Sequence, residues 1–339
     1  MDLGNVHVVI GRGRVGDAVD LAVEAERLGF GGAWVPEGAA GAEAFSTLTA
    51  VALRTERLEL GTGIVNPFAR TPSTLVQSIS TVAGCAPGRT LNIGLGASSR
   101  YVVENPHGTP FRQTVERTGE TIAIVRAATR QKSVDFDGEV FHVRDVRFVP
   151  PPTGPVRLFV AGLGPKMLAL TGTDADGWLP IWPSRRSFDV LRAPVANAAA
   201  AAGRPMPAVA AYVYTHVGPD AEASLASLRR ALAWYMVSAG AGYQAMFRRV
   251  GYGDVVDEVN AKWKAGDRER ARSAVPRAAV EDMCLSGDPA TLPEQIAAFH
   301  AAGIETIVLQ FPPDVGVPEV AEIVGRVAGA ATPAVAGRS

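Results

Sequence analysis

Eight short apolar runs recur along the chain, at 6–10, 32–35, 58–64, 91–95, 158–161, 178–181, 209–217 and 306–309, and nearly every one is followed by a stretch with helical spacing. The first such stretch, 17–28, closes at Gly29, and the third opens on Pro72, a residue suited to a helix's first turn. Further helices are predicted at 45–54, 111–130, 165–170, 188–202, 289–302 and 318–327. Regular alternation of strand and helix implies a parallel sheet covered by helices. Eight such units in 339 residues predict an α/β fold, a (β/α)8 TIM barrel, with 1–339 as a single domain. Two insertions interrupt the rhythm. One, near 134–152, alternates apolar and polar residues around Asp137-Gly138 and reads as a hairpin. The other, near 220–285, reads as helix without strand. The rival architecture is an open doubly wound sheet. Gly11-Arg-Gly13-Arg-Val-Gly16 has the glycine spacing of a dinucleotide loop, with Glu37 as the nearest acidic residue after the second strand.

The strand ends are rich in glycine. The third run ends Gly61-Thr62-Gly63-Ile64, the fourth Gly94-Leu-Gly96-Ala97-Ser98-Ser99, and the fifth Ala161-Gly162-Leu163-Gly164-Pro-Lys166. In a barrel these ends share the rim where active sites form. A glycine there either eases a sharp turn or lets a ligand touch the backbone. Two of the loops open helices, whose free N–H groups and positive dipole end make a phosphate seat. Ser98 and Ser99 add hydroxyls and Lys166 adds a charge. Together they suggest a planar, phosphorylated cofactor spread across the mouth.

Other classes are disfavoured. A net charge of −1 gives no field for nucleic acid or an anionic membrane. No run of 18 apolar residues suggests a membrane span, and no secretory leader is expected at the N-terminus. Cys85 and Cys284 lie far apart and read as small buried hydrophobes of a reducing cytoplasm. The five histidines show no metal-ligand spacing, so no metal site is expected. Lysine occurs only at 132, 166, 262 and 264, an arginine-for-lysine skew typical of a GC-rich genome.

Several motifs in order resemble the luciferase-like (bacterial luciferase superfamily) flavin and deazaflavin oxidoreductases, and within them the branch using coenzyme F420. They are Trp34-Val-Pro-Glu37; Leu60-Gly-Thr-Gly-Ile64 with Arg70-Thr-Pro72; Gly88-Arg89 before Gly94-Leu-Gly-Ala-Ser-Ser99; His107-Gly-Thr-Pro-Phe111; Phe159-Val-Ala-Gly-Leu-Gly-Pro-Lys-Met167 with Ala175-Asp-Gly-Trp178; and Gly287-Asp-Pro with Ala302-Gly303. The resemblance implies a non-prolyl cis peptide at Gly63–Ile64, a bulge backing the cofactor's central ring, with Thr62 beside it. It implies a phosphate loop of Ala161, Gly162, Leu163 and Gly164 with Lys166, and places Gly96, Ala97 and Ser98 nearby. It sets Glu37 against the ring as a candidate catalytic proton donor. It also implies a homodimer or higher homo-oligomer.

One departure bears on the reaction. Relatives that oxidise alcohols or sugar phosphates carry a histidine base directly after the acidic residue; here that position is Gly38, followed by Ala39-Ala40. Neither residue type takes a proton. A reductase is therefore expected, passing hydride from reduced F420 to a C=C or C=N bond of a small organic substrate. The alternative is a monooxygenase using FMN and oxygen on the same fold; a third is a cofactor-binding protein without turnover. Tyr101 and Glu104 are further candidate donors, His107 is expected to order its loop, and His7 to face inward near the pocket floor. Trp182 and the aromatic residues of the second insertion either line a substrate pocket or pack as core.

Overall fold

The computed structural model describes residues 1–38 and 41–331. β1 (Val6–Val9) leads into α1 (Val15–Leu28), where Ala18, Leu21, Ala22 and Ala25 recur at helical spacing and are buried. Gly29 ends α1 in the left-handed conformation, φ 92°. β2 (Gly32–Val35), α2 (Ala44–Ala52), β3 (Glu59–Val65), α3 (Pro72–Cys85) and β4 (Leu91–Leu95) follow. α4 (Arg100–Glu104) and α5 (Thr114–Arg130) precede a hairpin of β5 (Val134–Asp137) and β6 (His142–Val146). Next come β7 (Val156–Val160), α6 (Pro165–Asp174), β8 (Gly177–Trp178), α7 (Phe188–Ala201) and β9 (Ala208–Val217). Five helices succeed β9: α8 (Ala221–Ser238), α9 (Ala241–Arg249), α10 (Gly253–Lys264), α11 (Arg268–Ser273) and α12 (Arg277–Met283). The chain continues through β10 (Cys284–Gly287), α13 (Leu292–Ala301), β11 (Thr306–Gln310) and α14 (Val317–Ala331).

β1, β2, β3, β4, β7, β8, β9 and β11 pair in that order, all parallel, and β11 returns to β1. The sheet is thus a closed (β/α)8 barrel of the eight expected strands, which removes the open-sheet rival; the Gly11–Gly16 segment is an ordinary strand-to-helix turn. Residues 332–339 of the expected domain, with Ala39 and Ala40, lie outside the described residues.

The differences from expectation are local. β10 is additional to the expected strands, because four residues, Cys-Leu-Ser-Gly, carry little pattern; it pairs with Tyr214–Val217, alongside the C-terminal half of β9. The helix predicted at 111–130 starts three residues late, behind Pro110, and the short α4 precedes it. Cys284 is buried as expected but Cys85 is only half-buried. The β5–β6 turn is held by Glu120, whose carboxylate accepts the N–H groups of Glu139, Val140 and Phe141.

The lumen is filled by its own cluster, Val9, Trp34, Phe159, Leu179, Ala210, Tyr212 and Val308, separate from the core between sheet and helices. Gly61 is explained here. A Cβ on it would enter the Trp34 ring, so glycine on β3 makes room for tryptophan on β2. Trp34 in turn donates its indole N–H to His7 Nδ1 at 2.9 Å, closing the lower end.

Candidate functional site

The mouth of the barrel is organised around an irregularity in β3. Its pairing with β4 runs Leu60 to Leu91, Gly61 to Asn92 and Thr62 to Ile93, then skips to Val65 with Leu95. Gly63 and Ile64 bulge out of register, and the bond between them is cis. Other groups take over their carbonyls. Tyr212 Oη donates to Gly63 O at 3.0 Å, and the Glu37 N–H donates to Ile64 O at 3.2 Å. Thr62 is buried in the wall, its hydroxyl donating to Gly94 O at 3.1 Å.

Ile64 is half-buried and packs on the lumen cluster with Ala161 and Ile181, forming an apolar floor. Gly96 lies between two of these residues: a Cβ there would sit 3.1 Å from Ile64 Cγ1 and 3.4 Å from Ala161 Cβ. Gly63, Ile64, Gly96 and Ala161 therefore adjoin. Ala97 is half-buried, and Ser98 is exposed with φ 60°, a left-handed conformation uncommon outside glycine. Ser99 caps α4, accepting the Val102 N–H at 3.3 Å.

The 161–166 loop leads into α6, whose N-cap Gly164 provides no side-chain cap. The N–H groups of the first turn are thus left for solvent or a ligand, and Gly164 has open space around it. Lys166 is exposed and makes no ion pair with another described residue. Two donors fix the loop from behind: Trp178 Nε1 reaches Gly162 O at 3.3 Å, and Arg249 Nη2 reaches Leu163 O at 2.6 Å. Arg249, on α9, thus brings a guanidinium to this loop. Its separation of 86 residues hides it from sequence reasoning.

Glu37 has partners of its own. Arg70 Nε and Nη2 donate to its two oxygens at 3.1 and 2.6 Å, and the Ala44 N–H donates at 3.2 Å. Arg70 also binds Glu43. Burial lowers the Arg70 pKa, but the hydrogen bonds and charges of the two carboxylates outweigh it and the net shift is upward. Both Glu37 oxygens are thus engaged by Arg70, and one of them also by Ala44. The other candidate donors lie outward: Tyr101 is 70% exposed, and Glu104 pairs with Arg100. The backbone N–H of His107 donates to Val102 O at 3.4 Å, a contact that does not involve its imidazole. His7 faces the lumen, but at the closed end.

Sequence reasoning does not single out Tyr212 or Tyr214, and it leaves Tyr235 and Tyr243 open between pocket and core. Tyr214 donates to Tyr235 at 3.2 Å, Tyr235 packs edgewise on Tyr243, and Trp182 stacks on Tyr214 at 4.0 Å between centroids. Burial raises all four phenols, Tyr212, Tyr214, Tyr235 and Tyr243, above the ordinary tyrosine range. Trp182 is fully buried with φ 57°, and its Nε1 has no partner among the described residues. Gln310 Oε1 and Asn66 Nδ2 are likewise buried and unpartnered. All three residues stand at or just beyond the C-terminal ends of barrel strands.

The closed parallel barrel with these contacts on its C-terminal rim defines an enzyme architecture, and comparison with known proteins specifies it. The family model for luciferase-like monooxygenases matches residues 4–306, and the chain belongs to that family. A Mycobacterium tuberculosis protein provisionally named a coenzyme F420-dependent oxidoreductase is 30% identical, over 86% of this chain and 89% of the relative. The 5,10-methylenetetrahydromethanopterin reductase of Archaeoglobus fulgidus is 26% identical, over 85% of this chain and 87% of its own. Among solved structures, the coenzyme F420-dependent tetrahydromethanopterin reductase of Methanopyrus kandleri superposes with a TM-score of 0.80 at 21% identity, covering 95% of this chain and 96% of that one. No described helix is long and apolar enough to cross a membrane.

Proposed function

We propose that the chain is a cytoplasmic, coenzyme F420-dependent oxidoreductase that acts as a reductase on a small organic substrate. The observation that carries the cofactor reading is the continuity of the rim: the Ile64–Gly96–Ala161 floor runs directly into the uncapped start of α6. An apolar, backbone-lined floor suits a flat tricycle, and an open helix start suits its phosphate. The residues present therefore fit the group. Gly63, Ile64, Gly96 and Ala161 would back the ring. Ala97 and Ser98 would border it, with Thr62 buried behind as part of the wall. Gly162, Leu163, Gly164, Lys166 and Arg249 would hold the phosphate. When bound, reduced F420 supplies hydride to a polarised double bond.

The direction of the reaction rests on Gly38 and on the engaged carboxylate of Glu37. Gly38 provides no base, and Glu37 is held by Arg70, so its proposed place is beside the ring, fixing Ile64 O through its backbone. This arrangement accepts hydride-receiving substrates more readily than it deprotonates an alcohol. Tyr214, Tyr235 and Tyr243, buried and protonated, are the polar groups proposed to face the substrate side. Names of relatives support the cofactor and not the direction: they include F420-dependent enzymes of both kinds, the reductases above and an F420-dependent glucose-6-phosphate dehydrogenase of Nocardia farcinica at 26% identity. A homo-oligomer, the single domain over 1–339 and the cytoplasmic location belong to this proposal.

The test is a fluorescence titration of the apoprotein with F420, FMN and NADP. Saturable binding of F420 with no binding of FMN at the same concentrations is expected. Tighter binding of FMN would replace the reading with the monooxygenase, and binding of none would leave a protein without this cofactor.

A further inference from the structure

Gly63 and Ile64 have lost their β4 ladder partners, yet a backbone carbonyl in this environment needs a donor. Ile64 O has the Glu37 N–H from the neighbouring strand. Gly63 O is served from farther away. Tyr212 stands on β9, four strands round an eight-stranded cylinder, and its hydroxyl crosses the lumen to reach Gly63 O at 3.0 Å. The contact is matched on both sides. A Cβ on Gly63 would collide with the Tyr212 hydroxyl, so the glycine is required by the tyrosine. The Tyr212 ring is buried, 7% exposed, and meets the Trp34 ring edge-on at 6.4 Å between centroids. The hydroxyl has no other partner among the described residues. Its proton is therefore given to one carbonyl, at the segment proposed to back the cofactor.

We infer that Tyr212 is a positioning residue for the cofactor seat: by holding Gly63 O from across the barrel it fixes the bulge, and with it the height of Ile64 above the lumen. The inference rests on the F420 reading for its consequence but not for its geometry. Ile64 O and Val65 O accept the N–H groups of Glu37 and Gly96 at 3.2 and 3.3 Å, so a loosened bulge is reported by those two amides.

The experiment compares wild type, Tyr212→Phe and Trp34→Phe. Trp34→Phe perturbs the same lumen cluster but removes no contact to Gly63. Backbone amide exchange is followed in the apoprotein over peptides containing Glu37 and Gly96, and F420 affinity is measured by fluorescence. Tyr212→Phe is expected to speed both amides by about tenfold and to weaken F420 by about three- to tenfold, the loss of one net hydrogen bond. Trp34→Phe is expected to lower Tm while changing exchange at those amides and affinity by less than about twofold. Unchanged amides in Tyr212→Phe, or equal acceleration in both variants, overturns the inference. If wild type fails to bind F420, the proposed cofactor falls while the exchange arm still decides the role of Tyr212.

Discussion

At the closed end of the barrel the Trp34 indole N–H meets His7 Nδ1 at 2.9 Å; at the mouth the Trp182 indole N–H, just as deeply buried, meets no acceptor among the described residues. The same contrast holds more widely. Near the lower end Arg89 directs its guanidinium to Leu58 O, Thr55 O and Thr55 Oγ1. At the mouth Gln310 Oε1 and Asn66 Nδ2 join Trp182 Nε1 as buried atoms without partners. Among the described residues the closed end strands one such atom, Asn92 Oδ1, beside an amide nitrogen that donates to Glu59 at 2.8 Å, whereas the mouth strands three. A buried unsatisfied group costs about 1–3 kcal/mol, so a mouth that carries several has been shaped by something other than stability of the free chain. A ligand that meets them is the economical account.

The largest expected effect is at the closed end. Trp34 fills the space Gly61 leaves open and is 1% exposed. Trp34→Ala is expected to cost about 3–5 kcal/mol in urea unfolding, by lost transfer and cavity. It also strips His7 of its donor. A cost below about 1.5 kcal/mol would mean the lower lumen is not the packed end, and the contrast would fail.

His7 offers the next test, through pH. Burial lowers its pKa from 6.5 to about 4, with Glu59 and the Gly4 carbonyl opposing and Arg157 adding to the fall. The folded pKa lies below the unfolded one, so between the two values the unfolded chain binds the extra proton. The stability contribution is therefore complete above about pH 6.5 and is lost as pH falls toward 4. The loss is on the order of 2–3 kcal/mol. Thermal unfolding of wild type and His7→Asn across about pH 4–7 checks it: the wild-type curve should fall more steeply on the acid side. Parallel curves would show that His7 already shares its proton in the fold.

How much of this is legible in the sequence differs between the ends for the same physical reason. All eight barrel strands are readable, because apolar runs and helical spacing are local. The β3 segment is readable as unusual, since Gly61-Thr-Gly63-Ile64 breaks its pattern within four residues. What the glycines answer to is not readable. Gly61 faces Trp34 and Gly63 faces Tyr212, the latter 149 residues away, and only barrel closure brings them together. Thus Gly61 answers to packing rather than to a cofactor, and Gly63 answers to a side chain first. The Arg70 fork on Glu37 is hidden likewise: Arg70 is visible as part of a motif, but its pairing needs β2 and β3 side by side. Ala161 through Lys166 can be read locally as a loop opening a helix, while Arg249 behind it arrives from the insertion.

The smallest expected effect is the sharpest on the mouth. Gln310 ends β11, half-buried, with Oε1 unpartnered and its side chain hydrogen-bonded to the Tyr214 phenol. Gln310→Met keeps length and bulk but removes the stranded oxygen. At the closed end a polar-to-apolar change of this kind would break a pair and cost stability. Here the unsatisfied oxygen leaves together with the hydrogen bond to Tyr214, so the two offset and stability should stay within about 1 kcal/mol of wild type. For a chain of this size that is a Tm change of about 2–4 °C or less. The measurement is a paired thermal melt of the apoprotein, where no ligand conceals the cost of the bare mouth. A loss above about 1 kcal/mol would show that Gln310 already does structural duty, through Tyr214 or otherwise. The mouth would then be no less satisfied than the closed end, and its buried polar atoms would cease to point to a ligand.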